Sequence, residues 1–328
     1  MDIPPGYQIT SEIVELIAKI EANLLYFSTL SLPEVIKEKI KRKSFLKSSL
    51  FSARIEGNSL TYKEIVVQGG EISEQKEVFN ILEAISFIEE NIRFGTKITL
   101  QHILKIHSLV MNNISNEAGM SRLEPSAIFN QAGIAVYITP APNKINNLLK
   151  QLLKYSNSTT EKFPIINSFI SHLIFEKIHP FIDGNGRVGR LLVFAILRSK
   201  QKNPTVFVPF EEFLDFHKEN YYYYLNTGLK YPEDYLLFML DAFYQQIEQI
   251  KSETQDEIEK KDFLLLTPRQ EEILNIIKDH KLVSFDQIHR RFLEVPQRTL
   301  SYDLKKLIDK KLVVKIGKTK GSYYREGN

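Results

Sequence analysis

Two stretches with apolar residues at helical spacing, 164–178 and 186–199, are joined by a segment holding Pro180, Gly184, Asn185 and Gly186, residues that interrupt helices or tolerate left-handed backbone. The chain must turn sharply there, and the apolar run 191–197 after the turn is consistent with a buried helix. The turn reads His179-Pro180-Phe181-Ile182-Asp183-Gly184-Asn185-Gly186-Arg187-Val188-Gly189-Arg190. Its glycines and Asn185 let successive N–H groups converge on one concavity, and the start of a helix adds orphan amides and a dipole that favour anions. Arg187 and Arg190, three apart, share a helix face suited to clamping different phosphate oxygens. Asp183 is placed to hold Mg²⁺, which takes one or two carboxylates and keeps the rest of its shell for phosphates and water. His179, with an unperturbed pKa near working pH, suits the removal of a proton from an attacking hydroxyl.

Three plainer readings compete. Asp-Gly and Asn-Gly usually mark β-turns, but no alternating strands flank this segment, and a hairpin gives no reason for the two arginines. Asp183-Gly184-Asn185 opens like a calcium loop, yet Arg187 stands at its fifth position and Phe194 at its twelfth, where oxygen ligands belong. A lone histidine at the end of an apolar helix is commonly structural; the company of Asp183, Arg187 and Arg190 argues for a nucleotide-phosphate site instead.

The segment resembles the signature of the Fic family, His-Pro-Phe-x-Asp/Glu-Gly-Asn-Gly-Arg-x-x-Arg, at every specified position. Further similarity around His107, from Gly119 and Arg122 to Pro140 and Pro142, and over 164–178 extends the resemblance to about residues 90–245. It implies a mainly α fold: a helical core with a small β-hairpin flap. It also implies adenylylation, the transfer of AMP from ATP with Mg²⁺ to a Tyr, Thr or Ser hydroxyl of a target protein, with self-modification expected. Carried over by position, His179 is the general base and Asp183 the metal ligand. Gly184, Asn185 and Gly186 form the anion cradle; Arg187 to Arg190, with Val188 and Gly189 between, supply the phosphate clamps. Tyr221 and Tyr222 match a pair bordering the adenine, within a run of four tyrosines that leaves the register open. Ala132, Gly133, Ile134 and Ala135 fall in the flap, which adds a strand to an extended target. Ser52-Ala53-Arg54-Ile55-Glu56-Gly57-Asn58 resembles an inhibitory helix whose glutamate, here Glu56, pairs with the second motif arginine, here Arg190. Some relatives with such a glutamate remove AMP, so deadenylylation is the alternative chemistry. A transcriptional regulator using the core to sense nucleotide is the alternative of another class.

Outside the motif, helical spacing covers 11–30, 34–55, 76–91, 100–112 and 143–155, and residues 232–261 read as a helix leaving the core. A chain of 328 residues suggests about two domains. We expect an N-terminal helical region over 1–90, a catalytic core over 91–245, a helical linker over 246–262 and a last domain over 263–328. There, Thr267-Pro268 opens one helix, Ser284 caps a second running to Phe292, and residues 298–310 form a third. Alternating segments 312–316 and 322–325 around Gly317 and Gly321 make a two-strand wing, and the order resembles a winged helix-turn-helix domain. Its 14 Lys and Arg against 8 Asp and Glu give +6, while the remainder of the chain is at −3. Arg298, Thr299, Lys305, Lys306 and Lys318 are candidate DNA contacts, although such domains also bind proteins. The absence of cysteine excludes disulfides and suits a reducing cytoplasm. No stretch is long enough to span a bilayer, so a cytoplasmic protein without membrane contact is expected. The target and whether the chain forms a homodimer are left open.

Overall fold

The computed structural model describes residues 1–67, 73–129, 135–202, 206–262, 266–310, 312–317 and 322–327. The chain is mainly α-helical, with a two-stranded hairpin in its first compact unit, Met1–Glu253, and a three-stranded sheet in its second, Thr254–Asn328.

In the first unit, α1 (Ser11–Thr29), α2 (Glu34–Ile55), α3 (Tyr62–Val67), α4 (Ser73–Asn91) and α5 (Leu100–Val110) precede the hairpin of β1 (Ala127–Phe129) and β2 (Ala135–Ile138). Then come α6 (Pro142–Ser156), α7 (Pro164–Ile178), α8 (Asn185–Lys200), α9 (Glu211–Phe216), α10 (Lys218–Thr227) and α11 (Pro232–Asp262), whose residues from Thr254 onward belong to the second unit. The paired helices flanking the turn are the centre of the unit. Every residue of α7 from Ile165 onward is buried, and α8 buries Leu191, Leu192, Val193, Ala195 and Ile196. A helix covered on all sides has no solvent face, which is why α7 carries no amphipathic stripe. Ile247 and Ile250 of α11 are also buried in this core, so packing of the first unit continues to Glu253.

Local signals place many of the ends. Thr10 and Thr99 accept backbone N–H groups at the starts of α1 and α5, and Pro142 and Pro164 occupy first-turn positions. α5 ends at Val110, two residues before the end expected from periodicity, because Met111 already caps it with N–H bonds to His107 and Leu109 carbonyls. β1 and β2 pair antiparallel, Ala127 opposite Ile138 and Ile128 opposite Tyr137, with an irregularity between Ile128 and Phe129. The flap residues Ala132, Gly133 and Ile134 lie outside the described residues; Ala135 begins β2 and is exposed.

The second unit contains α12 (Pro268–His280), β3 (Val283–Ser284), α13 (Phe285–His289), α14 (Gln297–Asp309), β4 (Val313–Ile316) and β5 (Tyr323–Glu326), three helices and a small sheet. Thr267 and Ser284 each close a capping box, with Gln270 and Gln287. Two details differ from the sequence expectation. α13 stops at His289 rather than Phe292, since Arg291 and Phe292 turn back with three-residue hydrogen bonds. The wing has a third strand: β3 pairs with β5 through Val283 opposite Tyr324, too short a segment to show alternation in sequence. Ile273, Ile277, Ile288, Leu300, Leu304 and Leu307 fill its own core. No helix among the described residues is long and apolar enough to cross a membrane.

Candidate nucleotide site

The turn between α7 and α8 is built by its own side chains. His179 ends α7 in left-handed conformation, φ 50°, ψ 62°. Asn185 closes the loop reciprocally, its Oδ1 accepting from the Phe181 N–H and its Nδ2 donating to the Phe181 carbonyl, both at 2.9 Å. The Asn185 side chain is therefore spent on the loop, and what remains for an anion is backbone N–H at the start of α8, where no side chain caps the helix. Gly184 needs its glycine twice over: φ is +79°, and a Cβ would sit 2.8 Å from Met111 Sδ. A Cβ on Gly186 would collide with the Glu56 carboxylate, and one on Gly189 with Glu176.

His107 braces the loop from below. Its ring stacks on Phe181 at 3.6 Å and 3°, its Nδ1 accepts from the Gly119 N–H at 2.8 Å, and its Nε2–H donates to the Asp183 carbonyl at 3.1 Å. Burial lowers its pKa to about 4, so it stays neutral and structural. Arg122 clamps the other side, donating from Nε to the His179 carbonyl at 2.8 Å, from Nη1 to Glu124 and from Nη2 to Pro140.

These contacts orient His179. Its Nδ1 lies 3.3 Å from the Glu176 carbonyl, an acceptor only, so Nδ1 carries the proton and Nε2 is left as a free base. Burial lowers its pKa, offset in part by that carbonyl, and the imidazole is neutral at neutral pH. Asp183 accepts from the Gly184 N–H at 2.6 Å and from Arg187 Nη2 at 3.0 and 3.1 Å. Its side chain is 61% exposed, and no group of three metal-ligating side chains occurs among the described residues. One exposed carboxylate fits Mg²⁺ arriving with phosphates, because that ion keeps several waters and does not require an all-protein cage.

Arg187 and Arg190 diverge in their partners. Arg190, 1% exposed, donates from Nε to Ser52 Oγ at 3.0 Å and from Nη2 to the Ser52 carbonyl and Glu56 Oε1, both at 2.9 Å. The pairing of Glu56 with Arg190 expected from the sequence is thus formed. Arg187 is ion-paired to Asp183 and, at 3.6 Å, to Glu77 of α4, yet its Nε and Nη1 are buried without a hydrogen-bond acceptor. Glu77 also accepts from Asn58, two residues beyond Glu56.

A cavity of about 790 Å³ opens over these groups. Its lining includes the polar Glu56, His179, Gly186 and Arg190, the hairpin residues Ile128, Val136 and Tyr137, and Tyr222 and Leu225 of α10. Tyr221 reaches this wall from the core: it is 1% exposed and its hydroxyl meets His172 Nε2 at 3.1 Å. Tyr222 is the more open of the pair, with its hydroxyl donating to the Ile55 carbonyl at the end of α2. His172, fully buried, also meets the Tyr235 hydroxyl at 2.6 Å, and burial lowers its pKa to about 3. Among the cavity residues that escaped the sequence reading are Glu176 and Lys177. Nothing in an apolar-spaced helix marks which of its few charged residues will be buried.

Of the candidate DNA contacts, Arg298, Thr299, Lys305 and Lys306 lie on α14, where the Lys306 ammonium covers the exposed Tyr302 ring at 4.8 Å; Lys318 lies outside the described residues.

Residues 97–197 match the Fic/DOC family. The protein adenylyltransferase Fic of Drosophila virilis is 25% identical over 263 residues, covering 76% of this chain and 51% of the relative; that of Drosophila melanogaster is 26% identical over 199 residues, covering 57% and 38%. The chain spans about half the length, or less, of these curated relatives. Among solved structures, a Fic family protein from Desulfovibrio desulfuricans G20 superposes with a TM-score of 0.80 at 23% identity, covering 99% of this chain and 98% of that one. Fic-1 of C. elegans superposes at 0.60 with 20% identity, covering 74% and 73%. The turn, its two central helices and these likenesses lead to one conclusion: the chain has the fold of the Fic/DOC family.

Proposed function

We propose that the protein transfers AMP from ATP to a Tyr, Thr or Ser hydroxyl of a protein, and that Glu56 restrains the reaction. The observation that carries the reading is a neutral His179 with a free Nε2 in the same cavity as the α8 N-terminus and a latched Arg190. The relatives named protein adenylyltransferase support the choice of donor and group.

In this scheme the hydroxyl oxygen forms a bond to the α-phosphorus, the bond from that phosphorus to the bridging oxygen breaks, pyrophosphate leaves, and His179 Nε2 takes the hydroxyl proton. Amides at the start of α8 hold phosphate oxygens, and the buried, unsatisfied Nε and Nη1 of Arg187 supply further donors. Asp183 would hold Mg²⁺, whose charge offsets that of the phosphates when bound. Arg190 becomes a phosphate donor once it parts from Glu56. Tyr222 and Leu225 border the space for the base. For the second unit we propose DNA contact through Arg298, Thr299, Lys305 and Lys306, supported by the +6 charge of residues 263–328 and their place on one helix.

The direct test incubates wild type, Glu56→Gly and Glu56→Gly/His179→Ala with α-labelled ATP and Mg²⁺. Label appearing with Glu56→Gly and vanishing with the His179 change is expected. Absence of label in all three, with release of AMP from a pre-labelled protein by wild type, would replace transfer with deadenylylation.

A further inference from the structure

Lys177 is a charged side chain in an expensive position. It is 3% exposed on α7, next to Glu176, which presses its Oε1 against Gly189 rather than pairing with the ammonium. The contacts of the Lys177 Nζ are the Asn226 carbonyl of α10, at 3.2 Å, and the face of the Tyr137 ring in β2, 4.4 Å from its centroid. Burial lowers its pKa to about 8, so the charge is retained at neutral pH against a desolvation cost. A methionine would fill the same volume without that cost. The charge is directional: it ties the hairpin, through an aromatic face, to two helices of the core.

The tie has a consequence for the cavity. Tyr137, Val136 and Ile128 are its hairpin wall, and Lys177, Asn226 and His179 line it from the helices. The hairpin has only two strands, and Val136 and Ile138 are 38% and 81% exposed, so little apolar burial holds it. An extended segment added to such an edge is placed only as accurately as the hairpin itself.

We propose that Lys177 is a positioning residue for the acceptor: by gripping Tyr137 and the Asn226 carbonyl it fixes the β1–β2 hairpin, and with it an extended hydroxyl-bearing segment, beside His179. The role rests on the transfer reading, whereas the grip itself does not.

Hydrogen–deuterium exchange on the full chain tests the grip without catalysis. Lys177→Met should speed exchange at 127–129 and 135–138 by about tenfold, the scale of one desolvated cation–π contact, while α7, α8 and the affinity for Mg²⁺-ATP stay as in wild type. Lys177→Arg, which keeps a charge over the ring, should restore slow exchange. In a Glu56→Gly background, Lys177→Met should slow self-labelling at saturating ATP without changing the KM for ATP, and Lys177→Arg should recover the rate. Unchanged hairpin exchange in Lys177→Met, or an arginine variant as loose as the methionine one, overturns the grip. Exchange rising equally through α7 and α8 reduces Lys177 to a packing residue. A loosened hairpin with undiminished labelling overturns the acceptor role. No label in the Glu56→Gly parent refutes transfer itself, and the exchange result then still decides the grip.

Discussion

Replacing Glu56 should weaken the fold and strengthen nucleotide binding at the same time. In the resting structure Arg190 makes three hydrogen bonds, two to Ser52 and one to Glu56. Glu56→Gly removes the last and leaves the guanidinium held by Ser52 and beside the Tyr221 hydroxyl. A hydrogen bond to a charged group is worth about 1.5–3 kcal/mol. The Glu56 side chain is 30% exposed, so solvent screening reduces the loss to about 1–2 kcal/mol. Glu56 is the C-cap of α2 with Gly57 following at φ +109°, so a glycine there costs the helix little more. In a unit of this size the melting temperature should fall by roughly 2–8 °C. With Mg²⁺-ATP the order reverses, because a phosphate oxygen takes the vacated donor without first displacing a carboxylate. Removing about 1.4 kcal/mol of competition tightens binding about tenfold. Thermal denaturation with and without Mg²⁺-ATP, together with calorimetric titration, reads both effects. Glu56→Gln, which keeps the shape and loses the charge, should fall between wild type and Glu56→Gly. An unchanged melting temperature and an unchanged nucleotide-induced shift in Glu56→Gly would refute the latch as an energetic element.

Glu77→Ala should remove one of the two acceptors of Asn58 Nδ2 and the ion-pair partner of Arg187 Nη1, giving faster amide exchange over 56–60 and, on the transfer reading, partial labelling in the presence of Glu56; exchange equal to wild type would show that Glu77 does not hold the turn after α2. Burial raises the Glu176 pKa to about 8 from 4.5, so its stabilising contribution is full below 4.5 and lost as pH rises through about 8. Glu176→Gln cannot ionise and should flatten that decline in denaturant midpoint; a parallel decline in the variant would contradict the buried neutral acid. His172 and His107, lowered by burial to about 3 and 4, act in the opposite sense: their contribution is present above 6.5 and lost as pH falls towards those values. In the second unit, Arg298→Ala and Lys305→Ala should each reduce the salt dependence of duplex DNA binding by about one phosphate contact; slopes equal to wild type would remove α14 from the interface.

The sequence alone was informative wherever the physics is local. Helix-forming composition and the prolines and glycines near their ends mark α2 and α7, Thr267 and Ser284 announce helix caps, and Gly184, Asn185 and Gly186 announce a strained turn at a helix start, since each depends on neighbours within four positions. It was silent where environment decides. Asn185 looks like a cradle residue and spends its side chain on Phe181; adjacent Tyr221 and Tyr222 are alike in composition, yet one is buried on His172 and the other half-open at the end of α2.

What the sequence by itself determined is a helix–turn–helix segment carrying the donors, carboxylate and imidazole that we propose for a phosphate site, because backbone conformation and helix-terminal polarity follow from short-range sterics and dipoles. What only the tertiary structure decided is the state of those groups. Arg190 finds Glu56 across 134 residues, His179 gains its tautomer from a carbonyl one turn back, and Lys177 meets a ring from another element. Such pairings depend on which faces the core brings within 3 or 4 Å, and in a low-dielectric interior that proximity sets charge, protonation and partner.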